Sequence, residues 1–291
     1  MKFRKIRLGQ LGENEPVAFA ISELSKYLKE IDNNLFVEVL LLDEPDAACG
    51  DVIWVGLHDS FPVPQVKDPF WDDAVAISVK DGAGYISGSN ERSVLIAAYR
   101  FLQELGCRWV RPGKDGIRVE KKELENVTVS VFEAASCRYR GVCLEGSTAY
   151  EHILNILDYI PKVGMNEYMV QFFLPATFFE NWYNHRENPM AECEGKMTME
   201  LLNGLVRKLE AEIAKRSIRY HKIGHGWTCR AFGMDGTGWH LDREHVIPEE
   251  TKPLLAQLNG VRGLNHNSPL DTQLCYSKPE VRSRIADTVV A

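Results

Sequence analysis

The stretch Tyr85–Gly113, YISGSNERSVLIAAYRFLQELGCRWVRPG, constrains the fold more than any other, because it holds a helix whose end and apolar face can both be read. A short strand and a Ser-Asn-Glu loop lead into apolar residues at Val94, Leu95, Ala98, Phe101, Leu102 and Leu105, spaced by three and four as on one face of a helix. Gly106 stands where a helix end needs a residue tolerant of positive φ. Cys107–Val110 then reads as a short strand, closed by the Pro112-Gly113 turn. A helix with a single apolar face needs a layer to cover it, so the residues around it should supply a sheet.

They do. Residues 3–8, 36–42, 51–57, 74–79, 85–87, 116–120 and 127–132 are short apolar runs bounded by turn residues, and Asp81-Gly82-Ala83-Gly84 joins two of them as a hairpin. A second amphipathic helix opens at Glu15-Pro16 and carries Val17, Phe19, Ala20, Leu24, Tyr27, Leu28 and Ile31. The expectation is an α+β domain over residues 1–133, with two helices on one face of a mixed sheet. Gly82, Gly84 and Gly88 are turn glycines rather than a phosphate loop, since no GK[ST] or GxGxxG follows them.

From Ala134 strands and helices alternate. Strands are expected at 139–144, 167–174, 218–223 and 272–276, and helices at 149–163, 199–215 and 279–290, with long loops at 175–198 and 226–269. Such alternation predicts a parallel sheet with right-handed crossovers. A (β/α)8 TIM-type barrel takes about 250 residues and at least about 200, so residues 134–291 hold only about four of its β/α units. The expected fold class is therefore α/β: an α+β N-terminal domain, then an incomplete first half of such a barrel.

Composition excludes several function classes. A net charge of −7 with no basic block argues against a nucleic-acid partner. No run approaches the roughly 18 apolar residues of a membrane span, and the N-terminus lacks an apolar leader segment, so a cytoplasmic, membrane-free protein is expected. Seven widely spaced cysteines without CxxC suggest reduced, mostly buried thiols.

The segments SGSNERSVLIAAYRFLQELGCRWVRPG and CRYRGVCLEGS resemble the junction in glycoside hydrolases that carry a small α+β domain ahead of a catalytic barrel. These are α-glucuronidases, β-N-acetylhexosaminidases and bacterial endo-β-N-acetylglucosaminidases of a family long labelled as of unknown function. GHGW and QLCYSKPEVR look like the third and fourth strands of the last group. The resemblance implies that Arg140, on the first barrel strand, reaches sugar hydroxyls; the alternative is an arginine paired to a carboxylate such as Glu145. Glu145 ends that strand, where barrel sites are built, and either faces the pocket or is a solvated acid. His225, flanked by Gly224 and Gly226, matches a Gly-His at the third strand's end, to hydrogen-bond a sugar or orient an acid, unless it is simply a satisfied polar group.

Trp182, Trp227 and Trp239 fall in loops after the second and third strands and suit the apolar faces of pyranose rings, although each alone is more often packing. Zinc at His221, His225 and Cys229 is disfavoured, because the four-residue spacing suits a helix and two glycines interrupt it. No metal or cofactor is expected. Glycoside hydrolysis needs two carboxyl groups, or one carboxyl group and an assisting substrate acetamide. The hexosaminidase type uses an adjacent Asp-Glu pair, and the one such pair here, Asp43-Glu44, lies in the first domain before Pro45. The expected catalytic residues are therefore absent, and the chain is expected to be an inactive, truncated relative acting on N-acetylglucosamine-containing glycans or, less readily, glucuronides. The rival readings are a non-catalytic carbohydrate-binding protein and an assembly module forming a homo-oligomer through the open barrel edge.

Overall fold

The computed structural model describes residues 4–46, 50–145, 148–185, 195–234, 236 and 244–290, and of Ile223 the backbone alone. The chain divides into two compact units. One comprises Met1–Val142, Glu151–Tyr168 and Lys208–Tyr220; the other comprises Cys143–Tyr150, Met169–Arg207 and His221–Ala291.

The first unit is built on β1 (Arg4–Leu11), α1 (Glu15–Ile31), β2 (Leu35–Leu42), β3 (Val52–Val55), β4 (Ala74–Lys80), β5 (Ala83–Gly88) and α2 (Glu91–Glu104). It continues with a small antiparallel pair, β6 (Cys107–Trp109) and β7 (Ile117–Val119), and with β8 (Val129–Ala134). Six strands form one mixed sheet in the order β2-β1-β3-β5-β4-β8, parallel from β2 to β5 and antiparallel from there to β8. Helices α1 and α2 share one apolar core with Leu8, Ile53, Ile77 and Ile86 of the sheet. Leu11, Val52, Trp54 and Phe61 form a separate cluster.

Local chemistry sets the ends of these elements. Asn90 caps α2, its side chain accepting the Ser93 N–H at 2.9 Å, which is the task of the Ser-Asn-Glu loop. Gly106 adopts φ 101° just past the helix. Gly84, at φ 137°, would bring a Cβ to 1.9 Å from the Ser78 carbonyl oxygen, so the hairpin needs glycine for close strand approach. Gly84→Ala is expected to destabilise the first unit by about 2 kcal/mol or more, read as a lower urea midpoint at unchanged slope.

Next come β9 (Gly141–Leu144), α3 (Tyr150–Lys162), β10 (Glu167–Phe172), α4 (Pro175–Tyr183), α5 (Met199–Lys215) and β11 (Arg219–His225). The three strands form a second sheet in the order β11-β10-β9. Arg219 N–H donates to the Asn166 carbonyl at one end and Phe173 N–H to the His225 carbonyl at the other, so β10 and β11 run the same way. Lys162, at the end of α3, is 2% exposed among the rings of Tyr27, Tyr99 and Trp109, 5.5, 5.6 and 5.8 Å from its ammonium. The ammonium pairs with Glu23 at 3.8 Å and Asp158 at 2.5 Å, while Tyr99 Oη donates to Glu23 at 2.9 Å.

Four expectations need correction. The fourth strand is not formed: Thr272–Tyr276 makes only a bridge from Leu274 to Leu255, because Cys275 N–H and Ala256 N–H pair these two segments with each other. Leu274 and Leu255 are instead buried with Cys229, Phe232 and Val281. No closed barrel exists among the described residues. The stretch expected as a loop after β10 contains α4, whose Pro175 start and buried Phe178 and Phe179 make it a helix. The loop after β11 likewise contains α6 (Trp227–Ala231) and the two-residue strands β12 (Gln257–Leu258) and β13 (Val261–Arg262), ahead of α7 (Pro279–Val290). The cysteines are also less buried than expected. Cys107 and Cys229 are buried, but Cys137 and Cys143 are exposed on the segment leading into and along β9.

Candidate functional site

Arg140 lies in the first unit and its guanidinium is fully engaged. Nε donates to the Gly164 carbonyl at 2.7 Å, Nη1 to the Cys137 carbonyl at 2.6 Å, and Nη2 to Asp73 Oδ2 at 2.7 Å. It pairs with a carboxylate, as the alternative reading held, but the partner is Asp73 rather than Glu145.

Asp73 is the hub of a buried network. Its Oδ1 accepts from Arg92 Nε at 2.9 Å and Ser93 Oγ at 3.0 Å, and its Oδ2 from Asn166 Nδ2 at 2.6 Å besides Arg140. Burial works to raise the Asp73 pKa, yet Arg92, Arg140 and Asn166 outweigh it and lower the value to about 2. Next to it Arg138 holds Asp72 with two bonds of 2.6 and 3.1 Å. A cleft of about 230 Å³ adjoins the hub, walled by Asp73, Arg140, Arg100, Gln103 and Glu133. Its charges are spent on one another, Arg100 bonding Glu133 at 3.1 Å and Gln103 the Lys162 carbonyl at 2.9 Å. Nothing in the sequence around Asp73 marked it, because its partners come from residues 17 to 93 positions away.

A Ser-His-Glu chain also occurs in the first unit. His58 Nδ1 is 2.6 Å from Ser60 Oγ and Nε2 is 2.5 Å from Glu44. Ser60's own backbone N–H donates to the same Nδ1 at 3.2 Å, which makes this a staple closing the loop.

The other named residues lie in the second unit. His225 ends β11 with its ring 5.7 Å from Phe172, and its carbonyl accepts the Phe173 N–H at 2.8 Å. Gly224 and Gly226 stand at φ 127° and 98°, and a Cβ on Gly224 would meet the Gln171 carbonyl at 2.7 Å. The chain therefore turns from strand into α6 directly after the histidine. Trp227, the first residue of α6, packs edge-on to Phe173 at 4.5 Å and donates Nε1–H to the Lys222 carbonyl at 2.8 Å. The Arg230 guanidinium lies 4.5 Å over the same Phe173 ring.

His225 and Trp227 lie two residues apart at the end of β11, His225 against Phe172 and Trp227, with Arg230, against Phe173; sequence reading missed Phe172, Phe173 and Arg230. Phe172 and Phe173 sit at the end of a recognisable strand, the one signal that could have found them. Glu145 is exposed just past β9, and Trp182 is 42% exposed on α4, 6.3 Å from His185. Trp239 lies outside the described residues. Among the described residues no group of three or more His, Cys, Asp or Glu could hold a metal ion, and no helix is long and apolar enough to cross a membrane.

No family model and no curated protein matches the sequence. Among solved structures the chain is similar to a GH138 enzyme targeting pectin rhamnogalacturonan II, at 17% identity and a TM-score of 0.46. The similarity covers 74% of this chain and 30% of that one. It is a distant structural likeness to a glycoside hydrolase.

Proposed function

We propose that the chain belongs to a glycoside-hydrolase-type protein and contributes carbohydrate recognition, with N-acetylglucosamine-containing glycans as the ligand class and glucuronides as the alternative. In this reading residues 1–133 form the supporting α+β domain and residues 134–291 the start of a barrel-like domain. The observation that carries it is the end of β11, where Trp227 and Arg230 pack on the Phe173 ring just past the glycine-flanked His225, which itself lies against Phe172. Such a group offers stacking for a pyranose face and hydrogen bonds for its hydroxyls. In this proposal His225 and Trp227 touch the sugar, Glu145 and Trp182 border it, and Arg140 acts only by bracing the start of β9. A retaining, substrate-assisted reaction would need an acid/base pair, and among the described residues no Asp-Glu pair stands at this site, so binding without hydrolysis is the second reading.

Titration with chitobiose and N-glycan fragments tests the proposal. Trp227→Ala and His225→Ala are each expected to weaken binding about tenfold with unchanged circular dichroism. No turnover of an aryl N-acetylglucosaminide is expected. Binding that ignores both substitutions would remove the site, and turnover abolished by Glu145→Gln would overturn the non-catalytic assignment.

A further inference from the structure

Among the described residues strand β2, LFVEVLLL, is an edge of the six-stranded sheet, hydrogen-bonded to β1 alone. It pairs over all eight residues without a bulge, contains no proline, and exposes Phe36 (56%), Val39 (46%), Leu41 (56%) and Leu42 (36%). Edge strands are ordinarily protected by charge, proline, bulges or brevity, and β2 has one charge, Glu38, held by Lys5 at 2.9 Å and Arg7 at 2.8 Å. We infer that β2 is a homodimer interface, pairing antiparallel with β2 of a second copy to continue the sheet across a two-fold axis.

Self-complementarity selects the second copy. A two-fold axis normal to the sheet keeps each face on its own side, so only registers centred on a residue are allowed. Centred on Glu38, two like charges would oppose each other. Centred on Val39, Phe36 meets Leu42 of the second copy, Val37 meets Leu41, and Glu38 meets Leu40, so every exposed apolar side chain gains an apolar partner. The charges beside the start of β2 are spent within the chain, Arg4 on Asp32, Glu123 and Glu125 and Lys5 on Glu38, so apolar contact selects the register.

Sedimentation of the whole chain is expected to show a reversible dimer. Val39→Lys places two ammonium groups face to face on the axis and should raise the dissociation constant about tenfold or more, with circular dichroism unchanged and, at concentrations where parent and variant are both monomeric, the same urea midpoint. Val39→Cys should crosslink two copies on mild oxidation, read as a disulfide-linked pair of peptides carrying position 39, because opposed Cα atoms lie about 4.5–5.5 Å apart. Leu41→Cys should not, its two copies lying about 14 Å apart in this register. A strict monomer at up to about 100 µM, a dimer indifferent to Val39→Lys, a Leu41→Cys crosslink without a Val39→Cys one, or β2 occupied by a different polypeptide would each overturn the inference.

Discussion

Asp73→Asn is expected to cost about 3–5 kcal/mol of stability, read as a fall in urea midpoint. The amide keeps the shape of the carboxylate but leaves Arg92, 7% exposed, facing a neutral group, and removing one partner of a buried ion pair strands the other. The same carboxylate makes stability depend on pH. Its folded pKa of about 2 lies below the ordinary 3.8, so the folded state binds the proton more weakly than the unfolded one. The stabilisation, about 2–3 kcal/mol, is complete above the unfolded value and is lost as pH falls from about 4 toward about 2. Asp73→Asn should flatten that part of the stability profile. A variant as stable as the parent, or one with the parent's acid limb, would show that the hub contributes nothing.

Lys162→Met is expected to cost about 3 kcal/mol, despite a side chain of similar size, because Glu23 would stay buried at 8% side-chain exposure after losing a cation. Tyr99 Oη and Lys26, at 3.1 Å, still bond Glu23, which keeps the loss at the lower end. Adding Glu23→Gln to Lys162→Met should recover at least about 1 kcal/mol, since removing both charges of a buried pair costs less than removing one. Purely additive losses in urea titrations of the double-mutant cycle would show that the pair is not coupled. The rings of Tyr27, Tyr99 and Trp109 give an independent readout, because Trp109 is 5.3 Å from both tyrosines and its fluorescence should report loosening of the cage.

Both predictions concern residues that brace the chain, and neither residue announced itself in the sequence. Asp73 sits in a Pro- and Asp-rich loop, where a carboxylate is ordinarily solvated. Lys162 follows the apolar positions of α3 as an ordinary C-terminal lysine. Each was buried by groups from distant segments: Arg92, Arg140 and Asn166 around Asp73, and α1, α2 and β6 around Lys162. Arg140 shows the same effect from the other side. Its position on the strand was legible, but what its guanidinium touches depends on Asp73, 67 positions earlier.

The sequence by itself determined what short-range physics controls. The 3.6-residue periodicity fixed α1 and α2, and Gly106 with the Asp81–Gly84 turn marked where chain direction changes. Short apolar runs between turn residues marked the strands of the first sheet, and His225 with Trp227 came from one turn flanked by glycines. The tertiary structure decided what depends on partners remote in the chain. Thr272–Tyr276 has the composition of a strand but not the pairing, because a strand exists only where another backbone accepts its hydrogen bonds. Phe173 and Arg230 join Trp227 only through the meeting of β10 and β11. The unprotected edge of β2 likewise appears only once the strand order is known, since an apolar run reads the same in the middle of a sheet as at its border.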